Sequence, residues 1–433
     1  MKIFKLNKMG KKDREFILNR SKESIGGIKG YVKEIIDDVR KRGDKAVIEY
    51  TKKFDKVELE RGELKVSEKE FKAAFERISP KLLKAIKEQI RLSKKFQFMQ
   101  LGDKFWMKEI FPGLTLGQKT TAIESVGLYV PGGTAAYPTV MQILAVPAKI
   151  AGVKKIVAVT PPRENLDALL VAAKLSGVDE VYRIGGIQAI AALAYGTETI
   201  PKVNKIVGPG NVYVTAAKEL VFGEVAIDMP AGPSEALILA DDSANPKYVA
   251  ADILARAEHD ENAAGVLVTD SRELAEKVIE EVERQKGLLE RSEIIEKSLA
   301  KYSAIILAGS IEKAIDFANE YAPEHLEIIT KDPWKTMEKI ENAGSIFLGE
   351  NAPVAIGDYA SGVNHVLPTL GNAKMFSAIG VESFQKKTEF EFISKDALRK
   401  LEKISTPIAE YEGFDGHKKS IQIRLDKTMG EKK

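Results

Sequence analysis

The chain has 433 residues, 44% of them hydrophobic, with 66 basic against 63 acidic side chains and a formal charge of +3. At ~150 residues per domain that length predicts two or three domains, and the near-balanced charge lacks the one-signed field of a nucleic-acid binder. The absence of cysteine excludes disulfides, thiolate metal sites and thiol nucleophiles, and no apolar run approaches the ~20 residues of a membrane span.

The N-terminus, MKIFKLNKMGKKDREF, is basic without an apolar core or small-residue cleavage site, so no secretory signal is expected and the cytoplasm is the expected setting. A 30% share of charged residues would also suit a heat-stable protein. Residues 1–115 read as a charged, largely helical segment. In KGYVKEIIDDVRKRGDKAVIEYTKKF and SPKLLKAIKEQIRLSKKFQ, apolar residues recur at helical spacing, which predicts packing and no chemistry.

From about residue 122, short β-branched runs alternate with helical stretches. Strands are expected at Val126–Val130, Lys155–Thr160, Glu180–Ile184 and Lys205–Val207, with helices near 138–151, 164–175 and 187–194. The scheme then repeats, with strands at Leu237–Ala240, Gly265–Thr269, Ser303–Leu307, Leu326–Thr330 and Ser345–Leu348. The intervening helices are expected near 246–259, 272–286 and 311–321. Alternation at this pitch predicts βαβ units and parallel sheets. The expected fold is therefore α/β, with two similar domains over 116–236 and 237–373 and helical segments over 1–115 and 374–433. The stretch 349–373 is too irregular for one element, and loops of that length are usually functional. Ser394–Lys403 reads as a charged helix, Tyr411–Arg424 closes the fold, and the last residues, KTMGEKK, are expected to fray.

Three loops after expected strands are rich in small residues: VPGGTAAYP (130–138), IGGIQA (184–189) and VGPGNVYV (207–214). Glycine admits close approach of backbone to a ligand, and a following helix offers N–H groups to an anion. No dinucleotide fingerprint or Walker lysine is present, so any single loop reads first as a tight βα turn. Three in one domain point to a nucleotide-sized ligand. The four histidines, His259, His325, His365 and His417, all stand beside carboxylates or glycine turns. Imidazole and carboxylate are the ligands that suit zinc without thiolates, and imidazole also suits proton transfer near neutral pH. There is no HExxH. On the residues alone the reading is a two-domain α/β enzyme that is metal-assisted or uses histidine as base.

GLYVPGGTAAYPT, IGGIQAIAALAYGT, GPGNVYVTAAKE, MPAGPSEALILAD, AEHD, APEHLE and GDYASGVNHVLPT, in that order across roughly residues 25–424, resemble the histidinol dehydrogenase family. The resemblance implies two similar Rossmann-like domains. It also implies NAD-dependent oxidation of L-histidinol to L-histidine through the bound aldehyde, the last step of histidine biosynthesis. One zinc per site and a homodimer with shared sites are implied as well, with no nucleic-acid or membrane partner. By the same resemblance Glu324 and His325 are catalytic, His325 as proton acceptor and Glu324 as activator of water. His259, Asp358 and His417 match zinc ligands. Ser234, His259, Glu324, Asp358, His365, Glu412 and His417 match the substrate site, and Tyr129, Gln188 and Asn211 match contacts to NAD.

One position departs from the family pattern. Where it has Gln-Ala-Glu-His, with the glutamine as fourth zinc ligand, this chain has Arg256-Ala257-Glu258-His259. A guanidinium offers no lone pair. The expectation is that Arg256 turns outward into ion pairs with Asp252 and Asp260, four residues away on either side, and that zinc is retained but held more weakly. The alternatives are a relative acting on another amino alcohol or polyol, and a non-catalytic nucleotide-binding homologue.

Overall fold

Two parallel sheets with the same internal strand order organise the larger of two compact units in the computed structural model. That unit comprises residues 1–100 and 123–384, and residues 101–122 and 385 onward form the smaller. The structure describes residues 1–20, 25–132, 137–230 and 232–425. Parts of the 130–138 loop and the expected frayed tail lie outside the described residues.

The chain opens with strand β1 (Lys2–Lys5) and helices α1 (Lys11–Asn19), α2 (Lys29–Arg42), α3 (Asp44–Asp55), α4 (Glu68–Arg77) and α5 (Pro80–Met99). Ser67 and Ser79 start the last two as side-chain N-caps. Strands β2 (Phe105–Phe111) and β3 (Leu114–Ala122) follow. The first α/β repeat then runs β4 (Ser125–Tyr129), α6 (Pro138–Ala151), β5 (Lys155–Thr160), α7 (Asp167–Ser176), β6 (Glu180–Arg183), α8 (Gly186–Tyr195), β7 (Lys205–Val207), α9 (Val212–Val221) and β8 (Ala226–Ile227). The second repeat runs β9 (Glu235–Ala240), α10 (Pro246–Ala257), β10 (Ala264–Thr269), α11 (Arg272–Lys286), α12 (Ser292–Lys301), β11 (Ala304–Leu307), α13 (Ile311–Tyr321), β12 (His325–Ile329), α14 (Pro333–Met337), β13 (Ser345–Leu348) and α15 (Val354–Tyr359). Strand β14 (Gln385–Ile393) and helices α16 (Lys395–Tyr411) and α17 (Asp415–Arg424) complete the chain.

The first sheet has the order β6-β5-β4-β7-β8 and the second β1-β11-β10-β9-β12-β13, every pairing parallel. Leaving β1 aside, each is a 3-2-1-4-5 arrangement, so the strand order reverses beside β4 in one and beside β9 in the other. The crevice outside the carboxyl ends at such a reversal is where open α/β sheets receive ligands. Central strands such as EALILA and AGVLVT are buried throughout, the continuous apolar pattern of strands covered on both faces. In the second sheet α10, α11 and α12 cover one face, while α1 and α13 cover the other.

The expected repeats are present, with β5, β7 and β13 at the bounds read from sequence. Three readings need correction. Residues 1–115 are not wholly helical: Lys2–Lys5 is a strand paired with Ala304–Leu307, and β2 also falls there. Residues 374–433 contain β14, which joins β3 and β2 in the smaller unit's antiparallel sheet. The expected boundaries after 115 and 236 fall inside β3 and β9. The stretch 349–373 contains α15, which carries Asp358.

Candidate active site

Four polar residues open two adjacent strands of the second sheet. Glu235 begins β9 with Ser234 just before it, and His325 begins β12 with Glu324 just before it, His325 being in register with Ala236. They lie at the amino ends of the strands, opposite the edge where the strand-order rule places ligands. Buried charge at a strand start must be satisfied locally. Ser234 Oγ and the Glu235 backbone N–H both donate to Glu324 Oε2 at 2.8 Å, and the Glu324 N–H donates to Glu235 Oε1 at 3.2 Å. Burial favours protonation of Glu324, but His325, Arg256 and the Glu235 N–H outweigh it and hold the carboxyl below its usual range.

His325 is 2% exposed. Its Nδ1 lies 3.0 Å from the Glu235 carbonyl oxygen. A carbonyl can only accept, so Nδ1 carries a proton, and the neutral form of the ring has its lone pair on Nε2. That Nε2 is buried without a hydrogen-bond partner among the described residues and lies 3.9 Å from Asp358 Oδ1. Asp358 reaches this place because Glu327 Oε1, on β12, accepts the N–H of Val354 and so anchors the start of α15. His365 follows on a segment pinned by Asn364, whose Nδ2 donates to Ile143 O. Burial lowers the His365 pKa, partly offset by Asp358, and its Nε2 is also unpartnered among the described residues.

Behind the site, Arg20 Nε lies 2.6 Å from Glu235 Oε2, both side chains almost wholly buried. The two atoms are held by charge rather than by an aligned hydrogen bond. Arg20 also stacks on Tyr321, 3.4 Å from the ring centroid, and donates to the Tyr321 carbonyl. The sequence reading missed this pair. The available signal was a glutamate opening an otherwise apolar strand run, since a buried charge requires a partner.

Arg256 does not turn outward. It is 4% exposed, Nη1 donates to Ser234 Oγ at 2.6 Å, and Nη2 stands 3.6 Å from Asp358 Oδ2. The expected partners are otherwise engaged: Asp252 hydrogen-bonds Glu327, whose carboxyl is pushed well above its usual range by burial and then by the Asp252 charge, and Asp260 accepts the N–H of Asn262. His259 keeps an accessible edge, while the protein mass around it and the Arg256 guanidinium press its imidazole toward neutral. Among the described residues no three or more His, Asp or Glu side chains form a metal-holding group. Glu412 and His417 belong to the smaller unit, where Glu412 ends α16 and His417 packs against Phe414, both exposed.

At the carboxyl ends of β4 and β7, the strand-order reversal of the first sheet, lies a cavity of about 600 Å³. Tyr129, Gln188 and Asn211 all line it. Tyr129 OH accepts the N–H of Gly186 at 3.1 Å, and burial pushes the phenol up to about 12. Asn211 caps α9 through its side chain. Gln188 is fully buried, and both amide atoms lack partners among the described residues, so the site fits a polar ligand such as a dinucleotide. Gly208 (φ +128°) closes the β7 turn, and a Cβ there would meet Tyr129 O at 2.1 Å.

Tyr31, Phe54 and Asp55, from the helices expected only to pack, also line the cavity. Burial pushes Asp55 up to about 6, from 3.8, with one carboxylate oxygen unpartnered among the described residues. A raised folded-state pKa means that this group's contribution to stability is complete below about pH 4 and is lost as pH rises through 6. Asp55→Asn is therefore expected to match the parent at pH 4 and to be more stable at pH 8, by roughly 1 kcal/mol after discounting for solvent. Denaturant melts at the two pH values measure this.

The sequence pattern of the histidinol dehydrogenase family matches residues 18–425. Curated histidinol dehydrogenases from Methanothermobacter thermautotrophicus and Methanococcus maripaludis are 50% and 47% identical. They cover 94% and 98% of this chain and 96% and 100% of their own. A crystal structure of histidinol dehydrogenase from Elizabethkingia anophelis superposes with TM-score 0.93 at 38% identity, covering 98% of each chain. The chain belongs to the histidinol dehydrogenase family of NAD-dependent oxidoreductases of histidine biosynthesis.

Proposed function

We propose that this chain oxidises L-histidinol to L-histidine through histidinal, with His325 as the base. The observation that carries the assignment is the pinned tautomer: Nδ1–H donates to the Glu235 carbonyl, which leaves Nε2 as a buried lone pair. His325 takes the substrate hydroxyl proton during the first oxidation. The ionised Glu324 stabilises the resulting imidazolium and orients the water that adds to the aldehyde, since a gem-diol must form before the second hydride can leave. Ser234 and the Glu235 N–H keep the Glu324 carboxylate in place. NAD, for which Tyr129, Gln188 and Asn211 offer the cavity, supplies the hydride acceptor for both oxidations.

Zinc does not fit the donor set as it stands. A dication shared by His259 and Asp358 would face the Arg256 guanidinium, and at ~4 Å with an effective dielectric of ~20 their repulsion is about 8 kcal/mol. No step above requires a metal. His365, with its unpartnered Nε2, is proposed to contact the substrate. Glu412 and His417 are proposed to serve the site of a second subunit in a homodimer. Support for the dimer comes from the smaller unit's exposed Trp106, Met107, Phe392, Ile404, Ile408 and Tyr411. No described helix is long and apolar enough to cross a membrane; a biosynthetic role and a cysteine-free chain support a cytoplasmic setting.

The test is nicotinamide absorbance with L-histidinol and NAD, against amino alcohols without an imidazole. Reduction of NAD with histidinol is expected. A preference for the other alcohols, or no reduction, would reject the proposal.

A further inference from the structure

Arg256 carries a charge into a place where the resemblance expects a neutral ligand, and the structure shows that charge in use. Its guanidinium spans the two elements that form the cleft. Nη1 donates to Ser234 Oγ, whose own proton goes to Glu324 Oε2, and Nη2 faces Asp358 Oδ2 at 3.6 Å. The chain of contacts Arg256–Ser234–Glu324 links α10 to the starts of both β9 and β12. The Arg256 side chain is 5% exposed, so it is not a surface group that happens to lean inward.

We infer that Arg256 is the resident cation of this cleft and that the enzyme works without a divalent metal. The inference rests on the functional reading above. Charge counting supports it. With a neutral residue at 256, the carboxylates of Asp358 and Glu324 would together carry two negative charges, which a bound dication would neutralise. With arginine one of the two is already compensated, and a dication would leave the cleft with a net positive charge. The guanidinium also has capacity to spare: Arg256 Nε is buried and has no acceptor among the described residues. A guanidinium held beside Ser234, Glu324 and Asp358 supplies fixed positive charge to the cleft, the electrostatic stabilisation of developing negative charge that a Lewis acid would otherwise provide.

The test is elemental analysis of protein produced in zinc-supplemented medium and dialysed against chelator, for the parent chain, Arg256→Gln and Arg256→Lys. The parent and Arg256→Lys are expected to hold roughly tenfold less zinc, or lower still, than Arg256→Gln, which regains a ligand and approaches about one zinc per chain. Turnover of the parent is expected to be insensitive to chelator, whereas turnover of Arg256→Gln falls with chelator and returns with zinc. Near-stoichiometric zinc in the dialysed parent overturns the inference, and so does chelator inhibition of the parent that zinc reverses. The parent's metal content decides the matter even if neither variant folds. A parent that reduces no NAD with or without zinc contradicts the functional reading instead, because the metal analysis is independent of turnover.

Discussion

His325→Ala is expected to lower kcat for histidinol oxidation by about 10³-fold, or about 4 kcal/mol of barrier, while leaving NAD affinity unchanged. The effect is large because the imidazole is not interchangeable with a nearby group. His365 also has a buried Nε2 without a partner among the described residues, but burial lowers its pKa and so makes it a weaker base than an ordinary imidazole. Glu324 is held below the usual carboxylate range and is the weaker base. NAD affinity should stand because the cavity is lined from the first sheet's loops and from α2 and α3, with no contribution from β12. Single-turnover kinetics with a separate cofactor titration make the comparison. A loss smaller than about tenfold would show that another group takes the proton.

The second large effect concerns the support of the site. Arg20→Ala is expected to cost about 3–5 kcal/mol, because it strands the Glu235 carboxylate in an interior where burial already pushes that group up to about 7. The sign of the pH dependence follows. Without Arg20 the folded-state pKa of Glu235 rises further above its ordinary 4.5. The protonated form is tolerated, so the deficit is smallest below about pH 4.5 and grows as pH rises through neutrality. Glu235→Gln in the same chain should recover much of the loss, giving a strong coupling in a double-mutant cycle. Because Glu235 supplies both the N–H that holds Glu324 and the carbonyl that pins His325, Arg20→Ala should also reduce kcat. A cost below about 1 kcal/mol would mean that the pair contributes little.

The parts of this molecule that could be read from sequence are those with local causes. Strands such as Lys155–Thr160 are continuous β-branched runs, and the helices at 138–151, 272–286 and 311–321 have the bounds expected from their periodicity and flanking residues. What could not be read depends on partners far along the chain. Lys2–Lys5 is too short to declare itself and becomes a strand only by pairing with Ala304–Leu307. Helix α9 was hidden because its glycine-rich lead-in reads as loop, although Asn211 caps it. Arg20 meets Glu235 across more than two hundred residues. The expected helix near 246–259 ends at Ala257, so His259 lies beyond it and does not share a helix face with Arg256, and the spacing carries no sign of which way Arg256 turns. Asp252, the expected outward partner, is taken by Glu327 on a strand 75 positions later. The sequence around Tyr31, Phe54 and Asp55 reads only as packing because amphipathic periodicity registers the buried stripe and is blind to what the rest of the helix faces.

The most direct measurement counts reduced cofactor against product. With one active-site base serving two successive oxidations, two NADH should form for each L-histidine produced, without free aldehyde, and His325→Ala should slow both in parallel. One NADH per histidinol consumed, with the aldehyde accumulating, would contradict the proposal that this cleft carries the alcohol through to the acid.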